Sequence, residues 1–295
     1  MARDWHETFK TWAKPASDTE EEKASHTADD IRLALRKHAL LQNRHFDVYA
    51  TGSYRNNTNV RLDSDIDIAV VLRETFFYQL SGGLTLAQLG LVSPATYSFQ
   101  DFRRDVGTAL RAAFGDRTKE SPKAFSLRET PSRLNADISV FLEHRWYFIG
   151  SGTPQYITGE EMQPFPGQRI INWHQQHYDH GVAKNNATRR RFKRAVRILK
   201  RLRNDMNYGA PSFLIESLVY NAPNTCFDRV EGSYYEDIKA VIARLWNDTK
   251  LDGSCSGFKE VNTIKPLFGS DQTWTRQQAH DFLLAAWRHV GFPAG

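Results

Sequence analysis

Cysteine is almost missing from this chain of 295 residues, which has only Cys226 and Cys255. Two cysteines without CxxC spacing supply neither a disulfide framework nor a thiolate zinc site, and they fit a reducing cytosol. No run of 18 apolar residues occurs, which excludes a transmembrane helix. The opening residues, Met1 to Trp12, are charged and carry no long apolar stretch, so a secretory signal is not expected. Repeats and low-complexity segments are also absent. Acidic residues are missing from one place in particular. Between Arg189 and Arg203 stand nine Lys/Arg and no Asp or Glu. The whole chain has 39 basic and 34 acidic side chains, a net +5, so removing those nine leaves 30 against 34, or −4. The positive excess is therefore local. It argues against a uniformly basic nucleic-acid coat and suggests one specific polyanionic ligand.

What is present reads as a globule. Apolar residues make up 40% and charged residues 25%, enough for a sizeable core, and the length suggests two lobes. Trp5, Phe9 and Trp12 have helical spacing. A second helix is expected after the acidic Asp18–Glu22 stretch, holding Ile31, Leu33, Leu35, Leu40 and Leu41. The pattern then turns to strands, at 46–51, at 65–72 and as two more within 123–142, with a helix over 98–114. Residues 150–167, rich in Gly and Pro, predict a lobe boundary. Beyond it the spacing predicts helices over 168–185, 188–205, from Pro211 onward, 234–247 and 274–289. Phe192, Ala195, Val196, Leu199 and Leu202 form the apolar stripe of the second of these. The division expected is a catalytic lobe over 1–160 and a helical lobe over 161–295.

The chemistry concentrates in Gly52-Ser53-Tyr54 and Asp65-Ile66-Asp67. Strand period two puts Asp65 and Asp67 on one face, ~6–7 Å apart along the strand, while Ile66, Ile68, Val70 and Leu72 take the other. Neighbouring carboxylates repel unless a cation lies between them, and oxygen ligands suit Mg²⁺, with Mn²⁺ as a substitute. Asp137, in a second strand at 134–142, is the expected third acid. Three such carboxylates would hold two ions at ~3.5–4 Å, which clamp an attacking hydroxyl and an α-phosphate. The Gly-Ser turn offers backbone N–H groups and a hydroxyl to phosphate oxygens.

Together, Gly52-Ser53-Tyr54 followed by Asp63-Ser64-Asp65-Ile66-Asp67-Ile68 resembles the signature of the polymerase-β-like nucleotidyltransferases. Within that superfamily the chain is similar to the bacterial CD-NTases, relatives of oligoadenylate synthase and cyclic GMP-AMP synthase that serve in antiphage signalling (CBASS). Val196-Arg197-Ile198-Leu199-Lys200 and Pro211-Ser212-Phe213-Leu214-Ile215-Glu216 resemble that family's helical-lobe motifs. The resemblance implies an α+β fold with two lobes, a mixed sheet behind an N-terminal spine helix, and a helical C-terminal lobe. It implies Mg²⁺-dependent synthesis of a cyclic oligonucleotide second messenger from NTPs, with pyrophosphate released and an effector sensing the product. Gly52, Ser53, Asp65, Asp67 and Asp137 would then hold triphosphate and metals, while Lys200 and Ser212 contact the donor's phosphates. Lys200 lies only ~40° around its helix from Val196 in the apolar stripe, at the stripe's edge rather than on the solvated face. Most of the arginines between Arg189 and Arg203 are expected on a solvated face.

Transfer to another acceptor, such as an RNA 3′ end, an antibiotic or a protein, is the alternative. The acidic remainder disfavours long nucleic acid. Tyr54 either stacks on a base or packs, and Arg55 and Arg61 flank the loop within reach of triphosphate. His174, His177 and His180 are spaced by three rather than four and lack a cysteine partner, so a polar lid is expected there rather than zinc. Trp274 and Trp287 are expected in a core. The final Gly295 resembles the ends of those CD-NTases that a ubiquitin-ligase-like partner conjugates through the terminal carboxylate.

Overall fold

Ile66 to Leu72 alternates with Asp67 and then continues almost wholly apolar, as expected for a strand buried on both faces. In the computed structural model, which describes residues 3–60, 65–91 and 93–293, it is an inner strand of a mixed sheet, between Phe46–Ala50 and the central Ala136–Gly150. The elements run α1 (Trp5–Trp12), α2 (Asp18–Lys37), β1 (Phe46–Ala50), α3 (Gly52–Arg55), β2 (Ile66–Leu80), α4 (Phe99–Phe114), β3 (Thr118–Glu120), β4 (Phe125–Leu127), β5 (Ala136–Gly150), β6 (Thr153–Met162), β7 (Ile170–Asn172), α5 (His174–Ala187), α6 (Arg191–Asp205), α7 (Ser212–Asn221), α8 (Tyr235–Asp248) and α9 (Arg276–Val290). Two compact units result. One comprises residues 18–54 and 65–174; the other comprises 1–17, 55–64 and 175–295.

In the sheet unit the strand order is β1-β2-β5-β4-β3, with β6 on β5 and β7 on β6. Every pairing is antiparallel except β2 with β5. One face carries Ile66, Ile68 and Val70 of β2 and Ala136, Ile138 and Val140 of β5. It packs against Ile31 and Leu35 of α2 and Phe102, Val106 and Leu110 of α4. A Ser98–Asp101 capping box opens α4, satisfying N–H groups that the first turn leaves unpaired.

The helical unit has its own core. Phe192, Val196, Leu199 and Leu202 of α6 meet Leu214, Ile215 and Leu218 of α7, Ile238 and Ile242 of α8, and Phe282 and Leu283 of α9, as the stripe predicts. Trp274 and Trp287 pack against this core, as expected. So do Phe9 and Ala13 at the start of the chain. The Trp5 ring lies 5.7 Å from His289 on α9, and Asp205 accepts from both Arg3 and His289.

Four expected elements shift. The second helix stops at Lys37, and Leu41 reaches the core from a turn in which His38 O accepts from two backbone N–H groups, while Leu40 is left half-exposed. Residues 153–162, inside the Gly/Pro-rich stretch, are strand β6, which pairs with β5. The helix expected from 168 begins at His174, because Ile170–Asn172 is used as β7. The next helix begins at Arg191 rather than 188, since Arg189 (φ 50°) and Arg190 (φ 64°) are left-handed and interrupt it.

Candidate active site

Parallel register sets the centre of the site. Asp67 of β2 stands opposite Asp137 of β5, between the pairs Ile66–Ala136 and Ile68–Ile138. Adjacent strands lie about 4.8 Å apart, so the two carboxyl groups are neighbours on the face turned away from α2 and α4. Asp65, immediately before β2, and Asp67 are exposed, whereas Ile66 and Ile68 are fully buried. The alternation expected from sequence therefore holds.

Two neighbours shape these carboxylates. Ser126 of β4 pairs in register with Asp137, and its hydroxyl donates to Asp137 Oδ1 at 2.7 Å. Gly52 packs on Asp67 so closely that a Cβ there would fall 2.2 Å from Asp67 Oδ2. Gly52 also has φ +58°, the left-handed region that glycine enters without strain. The same turn is tied to the strand by Thr51, whose backbone N–H donates to Asp67 O at 2.7 Å. Ser53 lies half-buried in α3, directly after Gly52. Tyr54 packs against the core of the sheet unit.

Further along the same face the floor is closed. Ala69, Val71 and Phe141 are buried. His174 stands edge-on to Phe141 and Tyr49. Glu160 accepts from the Tyr49 hydroxyl (2.8 Å) and from the His174 backbone N–H (3.3 Å). Burial pushes the Glu160 carboxyl up, but His174 and Tyr49 outweigh it and hold it below its ordinary value.

In the helical unit, Lys200 is 2% exposed. Its ammonium donates to Thr58 O at 3.0 Å and lies 3.8 Å from Glu216 Oε2. Ser212 is the first residue of α7 and does not cap it, since the N-cap is Pro211; its Oγ instead accepts from Arg203 at 3.0 Å. The other arginines of α6 correct the expectation of a solvated face. Arg191 is buried and donates to Asp237 and to Ser233 O; Arg197 is buried and donates to Ala13 O and Asn57 O. Arg194 bonds the Tyr234 hydroxyl and Arg203 bonds Ala210 O. Arg191, Arg197 and Lys200 are thus buried braces, Lys193, Arg194, Arg201 and Arg203 are half-buried, and Arg189 and Arg190 are exposed, so only part of the run faces solvent.

The histidines are braces too. His177 Nε2 is 3.0 Å from Glu216 Oε1, and His180 Nδ1 is 3.2 Å from Val261 O. Arg55 bonds Gln175 and lies over the Tyr178 ring. Sequence reasoning missed Ser126, Thr58 and the roles of Glu216 and Arg197. Only the unusual density of polar residues at 56–59 signalled them. Arg61, Asp63, Ser64, Ala294 and Gly295 lie outside the described residues.

Asp67, Asp137 and Ser126 bring oxygen donors together, with Asp67 and Asp137 in register and Asp65 two residues before Asp67. That set fits a hard divalent cation, Mg²⁺ or Mn²⁺, and not a thiolate or imidazole metal site. Among the described residues, no group of three or more His, Cys, Asp or Glu side chains is placed to hold a metal ion.

A Gly-Ser turn leading from one strand onto paired carboxylates of the next, on a mixed sheet, defines a nucleotidyltransferase of the polymerase-β-like class. The nucleotidyltransferase domain model matches residues 31–115, and the model for the cGAS/DncV-like nucleotidyltransferase C-terminal helical domain matches residues 179–291. The cyclic dipyrimidine nucleotide synthase CdnE of Legionella pneumophila is 37% identical over 98% of this chain and 99% of its own length. The CdnE c-UMP-AMP synthase of Rhodothermus marinus, solved with Apcpp and Upnpp, superposes with a TM-score of 0.83 at 28% identity, covering 99% of both chains. The CdnE cyclic dinucleotide synthase of Elizabethkingia meningoseptica, solved with GTP and Apcpp, gives 0.78 at 30% identity over 98% of this chain and 100% of its own. The chain belongs to the cGAS/DncV-like CD-NTases: it is a nucleotidyltransferase that makes cyclic oligonucleotides, homologous to the CdnE cyclic dinucleotide synthases.

Proposed function

We propose that this protein joins two or more NTPs into a cyclic product for antiphage signalling, with Asp65, Asp67 and Asp137 as its catalytic carboxylates. The in-register pairing of Asp67 with Asp137, with Gly52 packed on Asp67, carries the reading. Asp65, Asp67 and Asp137 are the residues that would hold Mg²⁺; when bound, the ion lowers the pKa of the attacking ribose hydroxyl and neutralises charge on the triphosphate. The chain's own residues do the rest. Ser126 orients Asp137 through its 2.7 Å bond, so the carboxylate is positioned before substrate arrives. Gly52 leaves room for Asp67, and the Gly52–Ser53 turn offers a hydroxyl and backbone N–H groups to the triphosphate. The donor's phosphates are assigned to Lys200 and Ser212 on the family resemblance. A hydroxyl of one nucleotide attacks the α-phosphorus of the next, the bond to the β-phosphate breaks, and pyrophosphate leaves with its electron pair. A second transfer closes the ring. The relatives are named for cyclic dipyrimidine, dipurine and UMP-AMP products, so NTPs serve as both donor and acceptor.

The test is incubation of the protein with a mixture of the four NTPs and Mg²⁺ or Mn²⁺, followed by mass spectrometry of products and a pyrophosphate assay. Cyclic dinucleotides or trinucleotides are expected. The double variant Asp65→Asn/Asp67→Asn is expected to release no pyrophosphate while keeping its circular dichroism and melting temperature. Product from a pure preparation of that variant would exclude these carboxylates as catalytic.

A further inference from the structure

Residues Asn56 to Val60 form no helix or strand, yet all except Asn57 are buried, with Thr58 fully so. Asn57 is left-handed at φ 52°. A buried irregular segment must have its carbonyls satisfied by something other than a ladder. Here two cations do this, with Arg197 donating to Asn57 O and Lys200 to Thr58 O. Glu216 completes the arrangement. Its Oε2 accepts from the Thr58 hydroxyl at 2.9 Å and lies 3.8 Å from the Lys200 ammonium, while Oε1 faces His177. Burial pushes the Glu216 carboxyl up, but His177, Lys200 and Thr58 more than offset it and hold the group down at about 2. A buried carboxylate inside an otherwise apolar helix is costly unless such partners converge on it. The segment it grips, Asn56–Val60, belongs to the helical unit yet falls in sequence between two stretches of the sheet unit. Its ends continue along the chain into Gly52-Ser53 on one side and into Asp65-Ile66-Asp67 on the other.

We infer that Glu216 is a positioning residue for nucleotidyl transfer, acting through the Thr58 hydroxyl to fix the Asn56–Val60 segment that directly follows α3 and its Gly-Ser turn, the turn that packs on Asp67. The inference rests on the proposed catalytic role of those carboxylates. It differs from the role that Glu216 would have if it merely held Lys200 for a phosphate. In the first case the chemical step suffers; in the second, NTP affinity does.

The experiment measures kcat and KM for cyclic product with Glu216→Gln, the near-isosteric Thr58→Val and the double variant, each checked for folding and assayed well below its melting temperature. Loss of one charge-assisted hydrogen bond sets the scale, so kcat is expected to fall about tenfold or more in each single variant, with KM within about twofold of wild type. The double variant is expected to be no worse than Glu216→Gln alone, because both changes break one linkage. Wild-type kcat in folded Glu216→Gln, a rise in KM with kcat intact, or multiplicative losses in the double variant would each overturn the inference. If Glu216→Gln does not fold, Thr58→Val decides alone, by the same split between kcat and KM. A wild-type protein that makes no cyclic product would instead overturn the proposed function, and that outcome is scored separately.

Discussion

At the scale of single residues, the tightest constraint falls on a side chain that is not there. Gly52 combines a left-handed backbone with a contact that leaves no space for a methyl group. Gly52→Ala must either turn the Asp67 carboxylate aside or deform the α3 turn. We expect at least a hundredfold loss in kcat by ~3 kcal/mol of misplacement and strain, with a folded protein on circular dichroism. Wild-type turnover by that variant would mean that Asp67 does not need its observed position. Glu161 offers a test by pH. It is fully buried, and burial pushes its carboxyl up, yet Arg169, His144 and Gln163 pull it down to about 2, from an ordinary 4.5. A depressed carboxyl contributes stability that is present above its unfolded pKa and lost as pH falls through the folded one. The stability gap between wild type and Glu161→Gln should therefore be wide at pH 5 and close steadily below about pH 4.5 toward pH 2, as read from urea unfolding midpoints. A gap that is constant with pH would show that the Arg169 and His144 contacts do not favour the ionised form.

At the scale of elements, what the sequence made legible depended on which force dominates. Period-two alternation around Asp67 and Asp137 located both strands and the face of both carboxylates, since burial of Ile66, Ile68 and Ile138 dictates that geometry. The apolar stripe of α6 was equally plain. Its charges were not. The nine cations from Arg189 to Arg203 read as a solvated surface, and instead Arg191, Arg197 and Lys200 point inward to carbonyls and acids contributed by distant parts of the chain. Nothing local in a sequence records such partners. Likewise β6 lies in a stretch that reads as a Gly/Pro-rich boundary and β7 in one that reads as the start of a helix, because only pairing, of β6 with β5 and of β7 with β6, makes them strands. The bracing role makes its own prediction. Arg197→Met keeps the length and apolar stem but leaves Ala13 O and Asn57 O without their donor. It should cost about 2–3 kcal/mol. The melting temperature should drop accordingly, and an unchanged one would refute the brace.

At the scale of the whole molecule, net charge is a poor guide to what solvent sees. Arg191, Arg197 and Lys200 are buried, but so are Asp105, Glu143, Glu160, Glu161, Glu216, Asp237 and Glu260, so burial does not lower the positive excess left on the surface. Among the described residues no helix is long and apolar enough to cross a membrane. The path of the chain matters as much as its charge. Phe9 and Ala13 belong to the same core as α9, and Trp5 sits against His289, so the outermost helices of the sequence are spatial neighbours. Covalent order at that place is therefore interchangeable. A circular permutant that joins the two ends by a short flexible linker and opens the chain at the exposed Gly82–Gly83 turn should fold and cyclise nucleotides, whereas deleting α1 should leave a hole beneath α6.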